Sequence, residues 1–156
     1  MGLGGYTALR YNDGTDIAQN PLEPFQGMEG RLMGLVLVLD DELDACRLMQ
    51  RVISGLGHEV HAFTDHHEAL AWVRSFKPDL AVIDVKLREA SGLCVLKSIQ
   101  QMLVSTKVVM ITGCPSEETF EEAMRMGVED YLSKPLEIAD LEEMVSRTLV
   151  KSKTEC

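Results

Sequence analysis

The chain has 156 residues, 46% hydrophobic and 26% charged, with 15 Lys+Arg against 25 Asp+Glu. That length fits one domain with a substantial core, and the composition excludes a collagen-like or wholly disordered chain. A formal charge of −10 argues against direct nucleic-acid binding, because nothing would offset phosphate repulsion. No apolar stretch reaches the roughly 20 residues needed to cross a bilayer. The start, Met1-Gly2-Leu3-Gly4-Gly5-Tyr6, lacks the basic and apolar regions of a secretory signal, and lacks the Ser/Thr of a myristoylation signal. Cys46, Cys94, Cys114 and Cys156 form no C-x-x-C pair and read as reduced, packed thiols of a cytoplasmic protein.

Met1 to Met33 are rich in Gly, Pro and Asn, with turn signals at Asn12-Asp13-Gly14 and Asn20-Pro21 and no sustained periodicity. They read as an extension or flexible arm, with residues of cloning origin as an open alternative. Leu35 to Leu39 is a continuous apolar run suited to a strand buried on both faces. Ala45, Leu48, Met49, Val52 and Leu56 then recur at helical spacing, stopped by Gly55 and Gly57. A strand over Glu59 to Phe63 is followed by a helix with Ala69, Trp72, Val73 and Phe76, ending before Pro78. Leu80 to Ile83 is the third strand, and Val95, Leu96, Ile99, Met102 and Leu103 share one face of the third helix. Val108 to Ile111 is the fourth strand, followed by a helix carrying Phe120, Ala123 and Met124. Val128 to Leu132 makes the fifth strand, and Ile138, Leu141, Met144, Val145, Thr148 and Leu149 mark the last helix.

Five such units predict an α/β, doubly wound, five-stranded parallel sheet with helices on both faces. In that architecture chemistry sits beyond the carboxyl ends of the strands. The residues there are Asp40, Asp41 and Glu42 after the first strand, Asp84 after the third, Thr112 after the fourth and Lys134 after the fifth. Singly, each is an ordinary cap, turn former or surface residue. Together they bring repelling carboxylates to one edge, a conflict that a hard divalent cation with oxygen ligands resolves.

The motifs Leu39-Asp40-Asp41-Glu42, Val82-Ile83-Asp84, Ile111-Thr112-Gly113 and Tyr131-Leu132-Ser133-Lys134-Pro135 resemble those of the CheY-like response-regulator receiver domains. Asp84 lies 43 positions after Asp41, Lys134 lies 22 after Thr112, and Gly92 lies eight beyond Asp84, as in that family. The resemblance spans about Leu35 to Lys151. It implies the flavodoxin-like (βα)5 strand order 2-1-3-4-5, with a receiver domain over 34–152 and a tail over 153–156. It implies that Asp84 accepts a phosphoryl group from a sensor histidine kinase or phosphotransfer protein. Mg²⁺ would be held by Asp40, Asp41, Asp84 and the backbone carbonyl of Lys86. Thr112 and Lys134 would contact the phosphoryl oxygens, and Thr112 with Tyr131 would switch the surface of the fourth helix, fifth strand and fifth helix. A cis Lys134–Pro135 peptide is also implied. The domain would catalyse only its own phosphorylation and dephosphorylation, in the cytoplasm. Its output would be a downstream effector, a missing output domain or a phosphorylation-dependent homodimer, without direct nucleic-acid or membrane contact.

One departure stands out: Arg88 occupies the position where the family usually has proline, four after Asp84. Other uses of the sheet fit less well. An FMN site needs a Ser/Thr/Gly-rich loop after the first strand, and a Rossmann site needs G-x-G-x-x-G. A haloacid-dehalogenase-like phosphatase wants a second Asp two positions after its nucleophile, where this chain has Lys86. A pseudo-receiver acting only as an interaction module would keep the fold without the chemistry. His58, His61, His66 and His67 have no ligand spacing and read as solvent-exposed. The methionines read as core, and Glu117, Glu118, Glu121 and Glu122 as a solvated helix start. The chain ends soon after the last helix, as a stand-alone regulator or as a receiver cut from a longer protein.

Overall fold

A computed structural model describes residues 33–102 and 104–154. The N-terminal extension as far as residue 32, Leu103 and Cys156 lie outside the described residues. In chain order the elements are β1 (Leu35–Leu39), α1 (Leu43–Gly55), β2 (Glu59–Phe63), α2 (His66–Phe76), β3 (Leu80–Asp84), α3 (Gly92–Gln101), β4 (Lys107–Thr112), α4 (Glu117–Arg125), β5 (Asp130–Ser133) and α5 (Ile138–Thr154). All strand pairs are parallel, in the order β2-β1-β3-β4-β5. The chain thus forms the α/β, doubly wound sheet that its apolar runs predict.

Strand alternation divides the core in two. Val36, Val38, Leu80, Val82, Val109 and Ile111 face the layer that contains Met49, Ile53, Leu141 and Val145 of α1 and α5. Leu37, Leu39, Ala81, Ile83, Val108 and Met110 face Trp72, Val73, Leu96, Ile99 and Ala123 of α2, α3 and α4. Both faces are covered, so β1 and β3 read as unbroken apolar runs. From β1 the chain crosses one way to β2 and the other way to β3, which puts the topological switch point between the ends of β1 and β3.

Helix starts follow local chemistry. Asp65, Ser91 and Ser116 each accept a backbone N–H of the following turn, capping α2, α3 and α4. Gly92 is fixed by space: a Cβ there would collide with the Asp84 carbonyl oxygen and lie 2.9 Å from Met110 Cε. At Gly127 the chain turns with φ 90°, and Val128 N still bonds Ala123 O of α4. This is why β5 begins at Asp130 instead of Val128. The last helix reaches Thr154, into the segment read from sequence as a tail.

Several side chains lie elsewhere than the sequence predicts. His61 is buried, because residues 61 and 63 share the face of β2 that α2 covers; its ring lies 4.8 Å from that of Trp72. Cys94 and Cys114 are exposed on the outer side of α3 and in the β4–α4 loop, and only Cys46 of the described cysteines is packed. Phe120 and Met124 are also exposed, because α4 buries only Ala123 against the sheet.

Candidate carboxylate site at the strand ends

The sheet delivers Asp40 just past β1 and Asp84 as the last residue of β3, and both are buried. Asp41, Asp40 and Asp84 each offer a carboxylate oxygen within 4.8 Å of the others. Local hydrogen bonds orient two of them. Asp40 Oδ1 accepts the Glu42 N–H at 2.9 Å, and Asp84 Oδ1 accepts the Lys86 N–H at 3.0 Å. Each carboxylate therefore keeps its second oxygen for the cleft.

Lys134 reaches those free oxygens from the end of β5, past the cis Lys134–Pro135 peptide. Its Nζ lies 2.9 Å from Asp84 Oδ2, 3.1 Å from Glu42 Oε1 and 2.7 Å from Asp40 Oδ2. Burial opposes the ammonium charge, but its close contacts with the Asp40, Asp84 and Glu42 carboxylates outweigh that and raise its pKa. For Asp40, burial dominates and raises the carboxyl pKa, with the adjacent Lys134 ammonium and the Glu42 N–H pulling the other way. The contact of Asp40 Oδ2 with Lys134 is an ion pair outside hydrogen-bond angles, and this fully buried oxygen has no hydrogen-bond partner among the described residues.

Three mutually close aspartates, balanced at Asp40 and Asp84 by the single ammonium of Lys134, form a donor set that fits a further cation. The donors are all oxygens, which suits a hard divalent ion such as Mg²⁺ and not a thiophilic metal. Among the described residues, no other group of three such side chains comes together. The four histidines take no part in a cluster of this kind.

Thr112 is fully buried at the end of β4, and its Oγ1 accepts the Cys114 N–H at 3.0 Å. Its hydroxyl proton remains available for donation. Tyr131, on β5, is half-buried, with its hydroxyl 2.7 Å from Thr119 Oγ1 and its ring edge-on to Phe120 at 5.3 Å. Thr119 is in turn 2.8 Å from Ser116 Oγ, at the start of α4. The sequence did not reveal this hydroxyl chain. Its one signal is the three-residue spacing from a serine cap, which does not identify Tyr131 as the third member. Glu42 was visible after β1, but its contact with Lys134 spans 92 residues and has no local signature.

The response regulator receiver domain family matches residues 36–146, and the chain belongs to it. It is 34% identical over 118 residues to the transcriptional regulatory protein ZraR of Salmonella typhimurium, covering 76% of this chain and 27% of that protein. With the alkaline phosphatase synthesis transcriptional regulatory protein PhoP of Bacillus subtilis it shares 31% identity, over 75% of this chain and 49% of that one. The chain thus spans about a quarter to a half of the length of these relatives. Among solved structures, a CheY-like receiver domain protein from Methanospirillum hungatei superposes with a TM-score of 0.76 at 25% identity, covering 80% of this chain and all of that one. NtrX from Brucella abortus superposes at 0.73 with 33% identity, over 78% and 28% of the two chains. The chain is a receiver domain of the two-component response regulators, a signalling domain and not a conventional enzyme.

Proposed function

We propose that this receiver works as a phosphorylation switch, with Asp84 as the phosphoacceptor. The observation that carries the reading is the convergence of Asp40, Asp41, Asp84 and Lys134 at the switch point, with Asp40 and Asp84 both buried there. Asp40, Asp41 and Asp84, with the Lys86 carbonyl, would hold Mg²⁺. A bound divalent ion supplies neutralising charge for the carboxylate and for the phosphoryl oxygens. Lys134 keeps its ammonium charged, orients Asp84 Oδ2 and is placed to pair with a phosphoryl oxygen. Thr112 donates its hydroxyl proton to a second phosphoryl oxygen.

The phosphoryl source is a phosphohistidine on a sensor kinase or phosphotransfer protein, in the cytoplasm. Among the described residues, no helix is long and apolar enough to cross a membrane. The functional unit runs over 34–152, and its output is read on the α4–β5–α5 surface by an effector, an output domain or a second copy. Incubating the chain with Mg²⁺ and either acetyl phosphate or a panel of phosphorylated kinases tests this. A single labile phosphoryl group per chain, lost in Asp84→Asn, is expected. Multiple turnover of small phosphoesters would favour a phosphatase, and no transfer from any donor would favour an interaction module without the chemistry.

A further inference from the structure

Every carboxylate at the strand ends has a cation beside it, but the cations are shared unequally. Lys134 contacts Asp40, Glu42 and Asp84. Asp41 is left to Arg88, whose Nε lies 3.7 Å from Asp41 Oδ2. The β3–α3 loop is pinned at its base: Gly92 N donates to Val85 O at 2.7 Å and Leu87 N to Ala90 O at 3.1 Å, and Lys86 and Ser91 form an antiparallel bridge. The loop tip therefore presents residue 88 toward Asp41, and both residues line one open cavity of about 400 Å³. The proline common at this position in the family would bring no charge.

We infer that Arg88 is a displaceable counter-cation for Asp41, one that a divalent ion must push aside to bind. The inference rests on the metal-site reading of Asp40, Asp41 and Asp84. A guanidinium beside an empty carboxylate cluster lowers its repulsion; beside a bound divalent ion it meets like charge. The contact is long and the Arg88 side chain is 82% exposed, so its hold on Asp41 is weak and easily screened. Arg88 thus acts as a positioning residue that tunes metal affinity and its dependence on ionic strength, without itself being a ligand.

Calorimetric titration of the full chain with MgCl₂, at low and high ionic strength, tests the inference. Arg88→Ala should bind Mg²⁺ about two- to five-fold more tightly than wild type at low salt, the range set by weak exposed ion pairs. The difference should close at high salt, and Arg88→Lys should stay near wild type because it keeps the charge. Unchanged or weaker binding in Arg88→Ala at low salt would overturn the inference, as would Arg88→Lys behaving like Arg88→Ala. Wild type that binds no Mg²⁺ at all would instead overturn the metal-site reading beneath it.

Discussion

For an aspartate removed from water, as Asp40 is, carrying a charge incurs a desolvation penalty that one lysine offsets only in part. In the absence of divalent ions, Asp40→Asn should therefore stabilise the protein, since the amide can still accept the Glu42 N–H and removes the charge. A rise in melting temperature of a few degrees in EDTA is expected, on the order of 1 kcal/mol for a domain of this size; a fall would mean that the Lys134 pair outweighs burial. Cys46 is a second buried case. Its thiol is pushed up to about 12, chiefly by burial and then by the nearby Asp40 charge. Above the ordinary value of 9.0 the unfolded chain sheds this proton while the fold retains it, so the thiol's share of stability erodes as pH rises from there. Iodoacetamide on the native chain should label Cys94 and Cys114 readily and Cys46 only after unfolding, as read by peptide mass. Rapid native labelling of Cys46 would contradict the packing described. At this scale the site's acidic and basic members were legible because each follows a strand. The burial of His61 was not, because a histidine on an edge strand shows nothing in its own sequence of the tryptophan that α2 lays over it.

Elements make the site only where backbones approach closely, and one such approach is at Gly92. Any Cβ there meets the Asp84 backbone carbonyl, which cannot yield without moving the end of β3. Gly92→Ala should cost about 1–3 kcal/mol, the range for overpacking, in denaturant unfolding. A stability equal to wild type would mean that α3 shifts freely. The strands were nearly all legible, because runs buried on both faces such as Leu35–Leu39 and Leu80–Ile83 leave no ambiguity with a half-exposed helix. The fourth helix was legible as a helix but not in its packing. Phe120 and Met124 sit at apolar spacing beside Ala123, and only the tertiary contact decides that alanine alone faces the sheet. The late start of β5 likewise depends on the turn at Gly127 and on a backbone bond returning to α4.

Across the whole molecule, the proposed switch links a buried hydroxyl at the end of β4 to the outer face of α4. In this structure Tyr131 is tied to Thr119, and through it to the Ser116 cap, with Phe120 against its ring. If phosphorylation draws Thr112 toward Asp84, amide exchange should change over residues 116–150 in wild type. In Thr112→Ala, labelling at Asp84 should persist while that change is largely lost. Equal responses in the two proteins would break the proposed coupling.

The most direct measurement of the central claim is to locate the phosphoryl group itself. The chain is incubated with Mg²⁺ and acetyl phosphate, treated with borohydride to reduce an acyl phosphate to an alcohol, and mapped by peptide mass spectrometry. Conversion of Asp84 to homoserine in wild type, absent without phosphodonor and in Asp84→Asn, is the predicted result. Conversion at another residue, or none under conditions where Mg²⁺ binds, would contradict the account.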